Sequence, residues 1–373
     1  MKILCFADLH IGQKAYANMD KNTGLNVREL NASKILNYIV DYAIESNMGA
    51  VIFAGDMYRN AMPSPTIVDE VNRAVSFLSE SKIHTFILDG NHDVNKMSSH
   101  DSYLRQFSTL NVPYVHQTRF YDSVDVNGLQ FVMLPTYHTE EEIRQCVNEM
   151  PNKPSIVIGH MMIQDAMLND WTVVENETAI PLDVFKNDNI KAVVLGHLHK
   201  HQVLQKEPPI FYCGSADRID FSEENQEKGF VILDTETWDI EFVPIPMAQK
   251  FKTIRLDCRD ENDTKLIEEK VSKNIEKENL TDSIVRVQLQ LDENTSINEN
   301  ELSKLAYGNG AQYTLKVQKM FNQKKREVET PINNSMSIFS SVETYFANTK
   351  RSDERIRIAK TIIGEVDNVS EAD

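Results

Sequence analysis

Val193-Val194-Leu195-Gly196-His197-Leu198-His199 reads as a buried strand that stops at a glycine and then presents two histidines. Residues i and i+2 of an extended chain point to the same side, so His197 and His199 face one site. One His-x-His is weak evidence alone. Four further stretches follow the same plan, an apolar run ending in Asp, Asn or His. They are Phe6-Ala7-Asp8-Leu9-His10, Phe53-Ala54-Gly55-Asp56, Leu88-Asp89-Gly90-Asn91-His92-Asp93 and Val157-Ile158-Gly159-His160. Strand ends that each deliver oxygen or imidazole describe a polynuclear metal site on one edge of a sheet.

The segments between these ends predict an α/β fold. Lys2–Ala7 is a strand, and a polar loop over 12–30 follows. Ile35, Leu36, Ile39, Val40, Ala43 and Ile44 keep helical spacing, which predicts a helix over Ser33–Ser46. Ala50–Ala54 is a strand. Ser64-Pro65 starts a helix running to Glu80. Ile83–Leu88 is the next strand. This β-α-β-α-β order predicts right-handed crossovers and a parallel sheet, with ligands outside the carboxyl ends of its strands. Asn127-Gly128, between Phe120–Val126 and Leu129–Leu134, predicts a hairpin. A helix over Thr139–Glu149 and strands at Ser155–Gly159, Ile190–Leu195, Ile210–Ser215 and Gly229–Leu233 complete a sandwich of mixed sheets.

After Pro244-Ile245-Pro246 the texture changes. Strands at Phe251–Leu256, Ile284–Leu291 and Tyr313–Val317 alternate with helices at Asp263–Ile275 and Asn298–Leu305, and this unit holds no histidine. The expected division is a main domain at 1–245, a small domain at 250–320, a polar linker at 321–335 and amphipathic helices within 336–373. Those last helices either dock a partner or pack back on the body, and the charged linker favours docking.

Composition narrows the classes. The chain has 373 residues, 41% hydrophobic and 25% charged, with a net charge of −17. This is globular, and too long for one ordinary core. No apolar run is long enough to span a bilayer, and the first residues read as a strand rather than a secretory signal. The acidic balance disfavours wrapping of nucleic acid by a broad basic face. It leaves open an enzyme that grips phosphate through metal ions. The four cysteines (Cys5, Cys146, Cys213, Cys258) show no C-x-x-C pattern and are expected as free thiols in a reducing, cytoplasmic setting.

Two divalent ions sharing a carboxylate need about eight protein contacts. Asp8, His10, Asp56, Asn91, His160, His197 and His199 supply them if one Asp bridges. Mixed imidazole and carboxylate donors suit Mn, Fe or Zn better than Mg or Ca. A pair of such ions serves in-line phosphoryl displacement. His84, His100, His116, His138 and His201 lie outside the motifs and read as structural or surface residues.

In this order, Asp-x-His, Gly-Asp, Gly-Asn-His-Asp, Gly-His and Gly-His-x-His resemble the calcineurin-like metallophosphoesterase superfamily. Within it, the chain resembles the SbcD-type DNA double-strand-break repair nucleases. Tyr212-Cys213-Gly214-Ser215-Ala216-Asp217-Arg218-Ile219-Asp220-Phe221-Ser222-Glu223 and Lys228-Gly229-Phe230 are similar to that family's stretch after the last metal histidines, where a proline usually stands in place of Cys213. The resemblance covers about residues 1–235. It implies a four-layer α/β/β/α sandwich with a small α+β capping domain that binds DNA, and C-terminal helices that bind an SbcC-type, SMC-like ATPase.

It also implies two ions, usually Mn2+. Asp8, His10, Asp56 and His199 would hold one, and Asp56, Asn91, His160 and His197 the other. His92 would stabilise the transition state or protonate the leaving oxygen, held by Asp93. The implied activity is 3′-5′ double-strand exonuclease and single-strand endonuclease in DNA end processing, repair and recombination, by a homodimer. Some relatives carry a second catalytic histidine three residues past the bridging Asp. Here that position is Arg59, suited to clamping phosphate. Arg218, Lys14, Tyr16 and Lys96 are further candidates for the DNA backbone. The alternatives are a small-molecule phosphoesterase or cyclic-nucleotide phosphodiesterase on the same scaffold, and a scaffold that has lost catalysis. Against the last, none of the seven ligand positions is missing.

Overall fold

Alternation along the first strand sets the layering of the computed structural model. The structure describes residues 1–94, 102–118, 120–136, 139–167, 179–259, 261, 263–291 and 296–321, with 341, 345 and 361. In β1 (Lys2–Phe6), Ile3 and Cys5 join one buried cluster, whereas Leu4 and Phe6 join another. Both faces of the strand are therefore covered.

After β1 come α1 (Val27–Glu45), β2 (Ala50–Phe53), α2 (Pro65–Glu80), β3 (His84–Leu88), α3 (Gln106–Thr109), β4 (Val115–Thr118), β5 (Asp122–Val126), β6 (Leu129–Leu134), α4 (Glu140–Glu149) and β7 (Ser155–His160). Then follow β8 (Ile190–Gly196), β9 (Gln202–Lys206), β10 (Pro209–Tyr212), β11 (Gly229–Asp234) and β12 (Ile240–Pro244). The chain closes with β13 (Lys250–Asp257), α5 (Thr264–Lys277), β14 (Ser283–Leu291), α6 (Glu299–Gly308), β15 (Tyr313–Thr314) and β16 (Gln318–Phe321).

One six-stranded sheet runs β12-β11-β1-β2-β3-β4 and the other β5-β6-β7-β8-β10-β9. β1 to β4 are parallel, as the alternating strand–helix order requires, and β11 closes on β1 antiparallel. Between the sheets lie Ile3, Cys5, Ile52, Phe86 and Leu88 from one, and Phe131, Ile158, Val194 and Phe211 from the other. Phe86 and Phe131 stack with centroids 4.0 Å apart. α1 and α2 bury Ile35, Ile39 and Val71 on the outer side of the first sheet. α4 buries Ile143 and Val147 on the outer side of the second. This is the four-layer α/β/β/α arrangement.

α1 begins six residues before the expected Ser33. Asn26 caps it by accepting the Arg28 amide at 2.9 Å. Its first turns are held by polar contacts that hydrophobic spacing does not show. The buried Arg28 guanidinium donates to the Arg218 carbonyl at 2.6 Å and lies 3.5 Å from Asp217. The expected helices at Pro65 and Glu140 form, the latter with a capping box between Thr139 and Glu142. The short strands β4, β9 and β12 were not expected. They are half-polar edge strands, paired through the backbone and packing only a few apolar side chains such as Val115, Leu204 and Phe242.

The third sheet is parallel, with β13, β15 and β16 all pairing to β14. The single strand expected at Tyr313–Val317 is replaced by the two short strands β15 and β16. Ile267, Val271 and Ile275 of α5 pack with Val285, Val287 and Leu289 in a core of its own. Apart from Phe321, which ends β16, and the three positions already named, the expected linker and C-terminal helices lie outside the described residues, as do Lys96, His100 and His138.

Candidate metal centre

The parallel pairing of β1, β2 and β3 brings their carboxyl ends together. Beyond them the loops stay paired, with the Asp8 amide donating to the Gly55 carbonyl and the His10 amide to the Asp56 carbonyl, each at 3.0 Å. Asp8, His10, Asp56 and His197 all have positive φ, between 48° and 97°. Non-glycine residues rarely adopt this backbone, and such strain concentrates at functional sites.

Asp8, His10, Asp56 and Asn91 follow strands of this sheet, His160, His197 and His199 stand at the ends of β7 and β8 in the second, and their contacts sort into two halves around Asp56. In one half, His10 Nε2 lies 3.2 Å from His199 Nε2 and 3.7 Å from Asp56 Oδ2. Asp8 lies within reach of both halves, grouping with His10 and His199 and also with Asp56 and His160, and its carboxylate accepts the His197 amide at 3.0 Å. In the other half, Asn91 Oδ1 lies 3.2 Å from His160 Nε2 and 3.0 Å from His197 Nδ1, and His160 Nε2 lies 3.4 Å from Asp56 Oδ2.

The ring orientations follow from their other nitrogens. A carbonyl oxygen only accepts, so His160 Nδ1 donates to the Ala54 carbonyl (2.8 Å), leaving Nε2 facing Asp56 and Asn91. His199 Nδ1 is held by the Glu223 carboxylate at 2.7 Å. Imidazole nitrogens and carboxylate oxygens thus converge on one small volume. The ligand atoms of Asp8, His10 and His199 lie within 4.8 Å of one another, as do those of Asp8, Asp56 and His160. That donor set fits borderline divalent cations. Seven residues would hold them: Asp8, His10, Asp56, Asn91, His160, His197 and His199.

The charges are tightly linked. Burial opposes ionisation of Asp56, but His160 and His10 outweigh it and hold the carboxyl far below its usual range. Burial also opposes the His160 imidazolium, yet Asp56 raises its pKa to about 9. Burial lifts Asp8 to about 6 against the pull of His160 and His199. Burial, with His160 adding to it, pushes His197 down to about 4.

His92 stands at the rim, its ring edge-on to His10 with centroids 4.8 Å apart. Its Nδ1 donates to the Arg59 carbonyl at 3.0 Å, so Nε2 is the nitrogen left to exchange protons. The expectation that Asp93 holds this ring is corrected here. Asp93 is fully buried and accepts the amides of Tyr58 (2.8 Å), Gly90 (2.9 Å) and Met57 (3.2 Å). It clamps the two loops that carry Asp56 and His92, and touches His92 only through backbone.

The substrate candidates fare unequally. Arg59 is half-buried beside the centre, and its charge bears on His10. Arg218 is not presented to a substrate. Its guanidinium donates to the carbonyls of Gln226, Gln249 and Glu223 at 2.6, 3.0 and 3.2 Å, fastening a turn. Lys14 pairs with Glu29 at 3.3 Å, and Tyr16 packs edge-on against Phe221 and Phe251. His201 stacks on Phe242 with Nδ1 bonded to the Tyr212 carbonyl, while His84 stacks on His116. Sequence reasoning missed the roles of Glu223 and Lys228. Lys228 is buried and bonds Glu223 at 2.8 Å, and no spacing rule links either residue to His199.

Residues 1–201 match the profile described as calcineurin-like phosphoesterase. The chain belongs to that family. The phosphoesterase is also similar to the SbcD subunit of the nuclease SbcCD of Staphylococcus epidermidis, with 26% identity over 70% of this chain and 74% of that one. Escherichia coli K12 has a protein of the same description, 22% identical over 69% and 71% of the two chains. The DNA double-strand break repair protein Mre11 of Thermoplasma acidophilum is 23% identical over 80% and 79%. The family uses divalent metals, and the phosphoesterase is a hydrolase of this class. Among its described residues no helix is long and apolar enough to cross a membrane.

Proposed function

We propose that the phosphoesterase is a Mn2+-dependent DNA nuclease, a 3′-5′ exonuclease on duplex ends and an endonuclease on single strands. It would act in cytoplasmic DNA end processing, repair and recombination with an SbcC-type ATPase. The observation that carries this is Asp56, whose carboxylate faces both His10 and His160, in a chain whose relatives are named as a nuclease subunit and as a DNA double-strand break repair protein. Asp8, His10, Asp56 and His199 would hold one ion, and Asp56, Asn91, His160 and His197 the other. Bound, such ions supply Lewis-acid polarisation of a phosphoryl oxygen and activation of water at neutral pH.

His92 delivers a proton from Nε2 to the leaving oxygen, because its Nδ1–H is committed to the Arg59 carbonyl. Asp93 keeps the two loops in register, and Arg59 contacts a phosphate beside the scissile one. The third sheet caps the DNA. With the chain at −17, the bulk of the protein repels the duplex and grip falls to the ions and a few local cations.

The test is degradation of end-labelled duplex and circular single-stranded DNA with Mn2+, beside a small chromogenic phosphodiester. The expected result is Mn2+-dependent DNA cutting that His92→Ala lowers about a hundredfold or more while keeping bound metal. Hydrolysis of the small diester with none of DNA would shift the reading to the small-molecule alternative.

Phe77 on α2 and Leu110 after α3 are 52% and 70% exposed, on segments joined by the Ser79–Pro113 and Asn72–Gln106 hydrogen bonds. Those two exposed apolar side chains are the proposed homodimer contact. Light scattering on co-expressed phosphoesterase and ATPase should show release of the ATPase when residues 336–373 are removed, and a halved phosphoesterase mass for Leu110→Glu. An unchanged mass in either case would refute that contact.

A further inference from the structure

The second nitrogens of the site histidines differ in their partners. Those of His160 and His92 donate to backbone carbonyls, and His10 Nδ1 is buried without a partner. His199 alone among the site histidines gives its Nδ1–H to a carboxylate, Glu223 Oε1. Glu223 is 5% exposed, and its other oxygen accepts from Lys228 Nζ (2.8 Å) and the Ile219 amide (3.1 Å). Lys228 is 3% exposed and also donates to the His199 carbonyl (2.9 Å), Ser215 Oγ (2.8 Å) and Gln226 Oε1 (2.9 Å). His199 is thus held at both ends, ring and carbonyl, by one buried ion pair.

We infer that Glu223, anchored by Lys228, is a positioning residue that fixes the His199 ring and makes its Nε2 the stronger donor, so that the two ion sites are unequal. The inference rests on the proposed metal reading. A carboxylate behind a ligating imidazole fixes its tautomer and raises its basicity, effects carried into metal affinity. His160, backed by a neutral carbonyl, lacks that support. The site shared by Asp8, His10 and His199 should therefore bind more tightly, and selectively lose affinity when Glu223 changes.

The adjacent Glu224 provides an internal control. It faces the third sheet, where its Oε1 accepts the Thr253 amide at 2.8 Å. Glu223→Gln and Glu224→Gln therefore perturb the same turn, but only the first touches His199.

The experiment is calorimetric titration of the metal-stripped protein with Mn2+ alone. Expected are two unequal sites in wild type, the tighter weakened about ten- to a hundredfold by Glu223→Gln and unchanged in Glu224→Gln. In a His199→Ala background, Glu223→Gln should add no further loss. Full affinity in Glu223→Gln, equal loss in Glu224→Gln, or additive loss in the His199→Ala background would overturn the inference. If Glu223→Gln does not fold, Lys228→Met takes its place, with the same loss expected. Failure of wild type to bind Mn2+ would instead defeat the metal reading itself.

Discussion

Asp56→Asn should abolish Mn2+-dependent phosphodiester hydrolysis, with a loss above about 10⁴-fold. Asp56 Oδ2 faces both His10 and His160, and Oδ1 also accepts the His92 amide at 2.8 Å. One substitution therefore removes the charge common to both halves and loosens the loop bearing His92. If each ion contributes about 3 kcal/mol to the transition state, losing both costs about 6 kcal/mol, or more than four decades of rate. Initial rates on a chromogenic phosphodiester, with metal content measured in parallel, decide it. A variant that keeps one ion and a tenth of the activity would show that Asp56 does not bridge.

The same substitution should change the pH dependence of the metal-free protein. His160 has a folded pKa of about 9, above its ordinary 6.5, chiefly because Asp56 overcomes burial. Its contribution to stability is then fully present below pH 6.5 and lost as pH rises through 9. His199 is raised as well and acts in the same direction. Chelated wild type should lose stability across that window, and Asp56→Asn should flatten the slope. Added Mn2+ should oppose it, because metal binding displaces these protons and tightens as pH rises. Denaturant midpoints at pH 6.5 and 9 give both slopes.

The second large effect is expected from Gly196→Ala, at the end of β8. A Cβ there would sit 2.0 Å from the Ala54 carbonyl oxygen, 2.8 Å from His160 Nδ1 and 3.0 Å from Ala7 Cβ. The first clash is with backbone, and that carbonyl is the acceptor that orients His160. Relief requires the ends of β2 and β8 to part by about an ångström, where overpacking costs 1–3 kcal/mol and such a misplacement costs about a hundredfold in rate. We expect an unfolding free energy lowered by about 1–3 kcal/mol, with at least a hundredfold loss of activity. Wild-type activity would mean that the sheet edges are not packed as the structure has them.

Much of this protein is legible locally. The ligand residues stand where apolar runs end, because a strand delivers its last side chains to one edge and a glycine lets the neighbouring strand come close. Asp8, Asp56, Asn91 and His197 are found this way, and so are the layers, since Ile3 and Leu4 differ only in which face of a pleated strand they occupy. Periodicity was silent where polar contacts did the work: the first turns of α1, the edge strands β4, β9 and β12, and the split end of the third sheet. It also misled on charge. Arg218 beside a catalytic motif suggests a phosphate ligand, but its guanidinium is spent on three backbone carbonyls.

By itself, then, the sequence determined the fold class, the edge on which the site stands and the donor atoms it offers, because each depends on side chains a few positions apart on one strand. The tertiary structure alone decided which nitrogen of each histidine faces the centre, and that Glu223 and Lys228 stand behind His199. Those are contacts between residues far apart in the chain, where orientation is set by whatever the packed sheets bring within 3 Å, and no local pattern encodes it.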